Sequence, residues 1–134
     1  MRTAQTVAIS LLLGVQGLAI CGEAPDHPSG MYCGGNQLID EGRVTAKVIT
    51  GIVVDPAGGE IAAARVQIQR VGRDGVLKEV ASDDLGRFRV HRLPPGDYWL
   101  GVSTHGMNLH YWRWTIPRHR GGTSQLRVQL TVGT

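Results

Sequence analysis

Aromatic side chains are scarce in this sequence. They make up 5% of its 134 residues, as three tryptophans, three tyrosines and a single phenylalanine. With so few rings, the direction each one points decides much of what the surface can bind. Cysteine is scarcer still. The two present, Cys21 and Cys33, could close one short loop but cannot build a disulfide scaffold, and no CxxC or CxxCH spacing marks a zinc or haem site. Nor does charge of one sign accumulate: 14 basic against 11 acidic residues leave +3. That is mild beside the basic stripes of nucleic-acid binders, so no nucleic-acid partner is expected.

Catalytic constellations are missing as well. The five histidines, His27, His91, His105, His110 and His119, form no HExxH or HxxE pair, so zinc-peptidase chemistry has no ligand set. His105 and His110 straddle a turn with different parity and read as turn residues rather than a metal pair. Ser82, Ser103 and Ser124 lack a G-x-S-x-G context. Asp83 and Asp84 would point to opposite faces of an extended chain, and no D-x-[DN]-x-[DN]-G loop gathers Asp55, Asp83 and Asp97 around calcium. The reading is therefore of a chain without cofactor, metal or catalytic residues, not an enzyme.

What is present begins with a leader. The run Val7 to Ile20 has the length of a signal-peptide core and falls short of the roughly 20 residues that cross a bilayer, with Arg2 the only charge before Glu23. Residues 1–21 are expected to be a signal peptide cleaved after Ala19 or Cys21, which makes the product secreted, periplasmic or attached to the cell envelope. Leu18-Ala19-Ile20-Cys21 resembles a lipobox, but bulky Ile20 stands where a small residue is normal, so a lipid anchor on Cys21 is the lesser alternative. If Cys21 stays in the chain it can pair with Cys33. Residues 22–46, with Pro25, Pro28, Gly30, Gly34, Gly35 and Gly42, offer almost no apolar face and read as a flexible arm.

From Lys47 the pattern changes to short β-rich runs bounded by glycine, proline or aspartate. Seven strands are predicted: 47–55, 64–71, 76–82, 87–92, 97–104, 107–116 and 125–132. Ala64, Val66 and Ile68 alternate with Arg65, Gln67 and Gln69, the period-two mark of a half-buried strand. Phe88 and Val90 point inward against Arg87, Arg89 and His91; Leu126, Val128, Leu130 and Val132 point inward against Arg127, Gln129 and Thr131. Tyr98, Leu100 and Val102 turn in, which leaves Trp99 on the opposite face. In 107–116 the more apolar face, Trp112, Trp114 and Ile116 with His110, is assigned to the core, which puts Tyr111 outside beside Trp99; the converse register would expose both tryptophans instead.

Four motifs in order carry a resemblance. Thr50-Gly51-Ile52-Val53-Val54-Asp55-Pro56, then Ile61 to Val66, then Ser82-Asp83-Asp84-Leu85-Gly86-Arg87-Phe88, then Leu93-Pro94-Pro95-Gly96-Asp97-Tyr98 resemble the carboxypeptidase regulatory-like domain over about 47–130. That resemblance implies an all-β, seven-stranded transthyretin-like Greek-key sandwich over 47–134, related to carbohydrate-binding-like folds. Modules of this kind are mostly accessory domains of exported or surface proteins. Transthyretin-like hydrolases carry part of their chemistry on a Tyr-Arg-Gly-Ser tail, where this chain reads Leu130-Thr131-Val132-Gly133-Thr134, so hydrolysis is a remote alternative. Lys47, Glu79 and Asn108 are the only trio that could form the lysine–asparagine crosslink of some surface β-sandwiches, and Lys47 reads instead as a solvated edge charge.

The expected function is thus a non-catalytic module for binding or interaction, with a carbohydrate or a protein as partner. A structural or protein-interaction role in the envelope with no small ligand is the alternative. Candidate ligand-binding residues are Trp99, Tyr111, Trp112, Trp114, Arg87 and Arg89. An exposed ring can stack on a sugar, though burial of Trp99 under the N-terminal arm would account for it equally. Outward Arg65, Gln67, Gln69, Arg87, Arg89, His91, Arg127 and Gln129 would form one arginine-rich face if their strands share a sheet.

Overall fold

A computed structural model describes Pro28, Met31 and residues 37–132. The leader 1–21, the cleavage and lipidation sites, the Cys21–Cys33 pair and the rest of the arm up to residue 36 lie outside the described residues. Eight strands are present: β1 Leu38–Thr45, β2 Val48–Val54, β3 Arg65–Arg70, β4 Lys78–Ala81, β5 Arg87–Val90, β6 Gly96–Ser103, β7 Leu109–Ile116 and β8 Thr123–Gln129. They form two sheets, ordered β1-β7-β6-β3-β4 and β5-β2-β8. The architecture is the all-β sandwich, and strands β2 to β8 fall on the seven predicted runs.

β1 corrects one expectation: part of the flexible arm is a strand. It runs parallel to β7, and its register slips between Asp40 and Gly42. Gly42 sits at φ +110°, where side chains are strained, and its N–H donates to Asp40 Oδ1 at 2.9 Å. The bulge interrupts alternation, so Leu38, Ile39 and Val44, all half-buried, do not fall on one two-residue period. A strand whose apolar side chains break phase at a bulge leaves little periodic signal.

The inward sets meet between the sheets. Ile49, Val53, Val66, Ile68, Phe88, Val90, Tyr98, Leu100, Val102, Trp114, Val128 and Leu130 are buried in one cluster. Trp114 donates its indole N–H to Ala46 O at 2.8 Å, so the largest core side chain also satisfies its one polar atom. Tyr98 reaches the Pro94-Pro95-Gly96 corner, donating to Pro94 O at 2.6 Å and accepting from Arg70 at 2.9 Å. Val132, expected inside, is 57% exposed, because β8 ends at Gln129 and the chain crosses to the segment before β7, where Val132 forms an isolated bridge with Met107.

A second apolar cluster lies on the other face of the five-stranded sheet. Met31, Trp99, Leu109 and Tyr111 are buried together there, flanked by Leu38, Val71 and Val76. Met31 fits the notch left by Gly101: a Cβ on that glycine would stand 2.3 Å from Met31 Sδ. The larger sheet is therefore covered on both faces around Gly101, while Arg65 and Glu79 toward its β4 edge stay half-exposed. The outer face of the smaller sheet carries no such layer among the described residues.

Candidate functional site

On that outer face, the middle strand β2 presents Thr50 and Ile52, both half-buried. Pairing with β5 sets Arg89 beside Thr50 and Arg87 beside Ile52, and pairing with β8 sets Gln125 and Arg127 on the opposite flank. Two cross-strand rows result, Arg89–Thr50–Gln125 and Arg87–Ile52–Arg127. They line an open trough of about 770 Å³.

The charges in the trough are unevenly compensated. Arg87 Nε lies 3.4 Å from Asp83 Oδ2, and Asp83 Oδ1 accepts the backbone N–H groups of Arg87 (2.8 Å) and Leu85 (2.9 Å). The Arg87 N–H, above all, holds the Asp83 carboxyl below its usual range. Among the described residues, Arg89 and Arg127 have no ion pair. His91 stands one step past β5, and its pKa is pushed down, first by burial and then by Arg89, Arg92 and Lys78. The shift favours the neutral imidazole, and the guanidinium groups carry the positive charge. Guanidinium forks in such an array hydrogen-bond carboxylates, phosphates or sugar hydroxyls.

Only part of the expected arginine-rich face assembles. Arg87, Arg89, Arg127 and Gln129 belong to the smaller sheet, while Arg65, Gln67 and Gln69 lie on β3 in the larger one. Gln67 and Gln69 are buried; Gln69 donates to Arg73 O at 2.7 Å and Gln67 to Glu79 Oε1 at 3.3 Å, beside the Arg65–Glu79 pair. Their polarity serves that sheet's own covered face.

The aromatic candidates are likewise corrected. Trp99, Tyr111, Trp112 and Trp114 are all buried, the most exposed at 7%. Trp112 and Trp114 face the core, as the more apolar register required. Trp99 and Tyr111 do share the opposite face, meeting edge to face with centroids 5.7 Å apart, but Met31 covers them. Arg113 lies over Trp99 at 5.1 Å and pairs with Asp97 at 3.5 Å. Of the two readings of Trp99, the covered one holds, and no ring among the described residues is presented for stacking.

A buried polar chain escaped sequence reasoning. His110, which the alternation of 107–116 places on the core-assigned face although its spacing from His105 reads as that of a turn residue, is 2% exposed; its partners were not foreseen. Its Nδ1 lies 2.6 Å from Glu41 Oε2, and its Nε2 accepts the Thr131 N–H at 3.2 Å with Thr131 Oγ1 at 3.1 Å. Accepting at Nε2 leaves the proton on Nδ1, donated to Glu41. Asn108 donates to Thr131 Oγ1 at 2.8 Å and accepts from Gln37 N–H at 3.1 Å. The chain of bonds clasps β1, β7 and the segment after β8. Glu41 is the extra residue of the β1 bulge, which is why spacing alone did not place it beside His110.

Other sequence candidates stay apart. Glu79 is engaged by Gln67 and Arg65, and Asn108 by Gln37 and Thr131, so Lys47, Glu79 and Asn108 form no crosslinking trio. Among the described residues no three histidine, cysteine, aspartate or glutamate side chains come close enough to hold a metal ion. Asp55 accepts from Ala57 and Gly59 in its own turn, as a turn aspartate does.

The sequence pattern of the carboxypeptidase regulatory-like domain matches residues 48–131. No curated protein matches by sequence. Among solved structures, the Bacillus anthracis TIE protein is similar at 20% identity and TM-score 0.52, over 66% of this chain and 17% of that one. The major pilin subunit of Bacillus cereus is similar at 17% identity and TM-score 0.48, over 62% of this chain and 28% of that one. Klebsiella pneumoniae 5-hydroxyisourate hydrolase is similar at 15% identity and TM-score 0.49, over 66% of this chain and 92% of that one. The likeness to the TIE protein is one of fold, and this chain spans under a third of the first two of these proteins. No helix among the described residues is long and apolar enough to cross a membrane.

Proposed function

Because the chain belongs to the carboxypeptidase regulatory-like domain family, we propose that it is a non-catalytic interaction module, exported to the cell envelope, that docks an acidic protein partner on the outer face of its smaller sheet. The observation that carries this reading is the pair of uncompensated guanidinium groups, Arg89 and Arg127, on opposite walls of the Thr50–Ile52 trough. A soluble sheet exterior ordinarily mixes signs, whereas this trough has one carboxylate, Asp83, at its margin.

Carbohydrate is the second partner class, and the covered rings alter how it would bind. With Trp99 under Met31, a sugar would be held by guanidinium hydrogen bonds to carboxylates or hydroxyls rather than by stacking. Both classes are tested by titrating the purified protein with poly-glutamate and with polygalacturonate. Binding that weakens with salt and is lost in Arg89→Gln/Arg127→Gln is expected for the true class. Equal binding by the double variant would remove the trough from consideration. Retention of binding to glucose polymers without charge would favour sugar-hydroxyl recognition instead.

A further inference from the structure

β8 has one paired edge and one edge that is open among the described residues. In its parallel pairing with β2, the Val48 N–H donates to Gly122 O and the Leu130 N–H to Val54 O. The register runs from Val48 opposite Thr123 to Val54 opposite Gln129. Successive residues of a strand direct their N–H and C=O groups to alternate sides, so the even-numbered residues of β8 bond to β2. The odd-numbered ones, Thr123, Gln125, Arg127 and Gln129, direct theirs away from the sheet. No described backbone group pairs with them, and their side chains are exposed.

The remaining edges are blunted. On β5, Asp83 closes the open side of Arg87, donating its N–H to Arg87 O at 2.8 Å and accepting Arg87 N–H at Oδ1, while Lys78 Nζ caps His91 O at 3.3 Å. β4 is only four residues long, and β1 is bulged and carries Asp40, Glu41 and Arg43. Such devices keep edges from pairing with other chains. β8 has none of them: its seven residues include no proline, no register slip and a single charge.

We propose that β8 pairs antiparallel with β8 of a second copy of this chain, centred on Leu126, joining two three-stranded sheets into one of six strands. A two-fold contact must be complementary to itself. Centring on Arg127 would set two guanidinium groups directly opposite each other, which is destabilising. Centring on Leu126 instead pairs all seven residues, with Thr123 opposite Gln129 and the Gln125 amide opposite Arg127. Leu126, half-buried at the rim of the core, then meets its twin at a closely spaced pair position. The inference concerns the edge of the sheet and does not rest on the trough across its face.

Sedimentation velocity of the purified protein, over a range of about 1 to several hundred micromolar, is expected to show a reversible monomer–dimer equilibrium. Gln125→Pro removes an N–H that points away from β2 and spares the internal ladder, so a folded monomer is expected. Gln125→Glu places a carboxylate opposite Arg127 twice per dimer and should tighten it roughly three- to tenfold, while Gln125→Lys should weaken it by a similar factor. The Glu variant also separates this pairing from capture of an acidic strand, which it would weaken. A wild-type protein that remains monomeric throughout overturns the proposal. So does a dimer that survives Gln125→Pro and responds alike to Glu and Lys at position 125.

Discussion

The Phe88 ring occupies the space that a side chain at Gly51 would fill. The two residues are directly opposed in the β2–β5 pair, and a Cβ on Gly51 would lie 2.5 Å from Phe88 Cε2 and Cζ and 3.0 Å from Leu126 O. The only phenylalanine in the chain thus packs across the smaller sheet and covers the gap that a glycine leaves in the middle strand. Strand β2 carries the floor of the trough on its other face, so this packing fixes the backbone on which Thr50 and Ile52 stand.

Gly51→Ala is expected to cost about 1–3 kcal/mol by overpacking, and Phe88→Ala about 3–5 kcal/mol by leaving a cavity. Because the two residues share one space, Gly51→Ala should cost less in a Phe88→Leu background than in the wild type. Urea denaturation of the four proteins checks this, and strict additivity would show that ring and glycine do not act on each other.

Gly101 and Met31 form the equivalent lock on the larger sheet. A Cβ at position 101 would also meet Leu109 Cδ1 at 3.2 Å, and the side chain free to yield is that of Met31. Gly101→Val should therefore expel Met31 and uncover Trp99. Acrylamide quenching of tryptophan emission is expected to rise, with Trp99→Phe as the blank, and stability to fall by about 1.5–3 kcal/mol, the worth of a buried methionine. Unchanged quenching would show that the N-terminal segment is not what shields the ring.

Protonation beside the trough can be followed through His91, two residues beyond Arg89. Burial lowers its pKa most, and Arg89, Arg92 and Lys78 add to the shift, so the unfolded chain takes up a proton at a higher pH than the folded one. Stability linked to His91 is thus fully present above its ordinary pKa of about 6.5 and is lost as pH falls through the lowered folded value. In an NMR titration, Arg89→Gln should move the His91 pKa part of the way back up, since burial remains. Asp83 works in the same direction at lower pH. Its folded pKa is depressed, so its contribution is present above about pH 4 and disappears on further acidification, and Asp83→Asn should flatten that limb of the stability curve.

How far the sequence foretold the molecule depends on whether one strand or two had to be considered. Alternation within β3, β5 and β6 set Val66, Phe88 and Tyr98 inward, and composition alone chose the Trp112–Trp114 face of β7 for the core. Sheet membership is not written in alternation. Arg65 and Arg87 have the same local pattern yet lie on different sheets, which is why the expected arginine face divided. Exposure failed for a similar reason: Trp99 points away from the inter-sheet core, as expected, but a segment with scarcely any periodic signal supplies Met31 to cover it. Alternation alone placed Arg87, Arg89 and Arg127 outward, because an outward position on a short strand needs only local information. Arg127 reaches the same trough through a parallel pairing of β2 with β8 that no spacing reveals.

Glu41 and His110 give the last test, because the bond between them is the hold of a bulged residue on a buried ring. The His110 side chain is 3% exposed, and its Nδ1–H has Glu41 as acceptor at 2.6 Å. Glu41→Ala would leave that donor buried without a partner, at a cost of about 1–3 kcal/mol, whereas Glu41→Gln keeps an acceptor and should cost less than half as much. The strand that depends on the bond is β1, an edge strand whose backbone pairs, among the described residues, with β7 alone. Amide exchange at Gly42, Arg43 and Val44 should therefore quicken in Glu41→Ala before the β6–β7 amides change, since local opening precedes global unfolding. Equal exchange and equal stability in the Ala and Gln variants would mean that backbone pairing with β7, rather than the histidine, keeps β1 on the sheet.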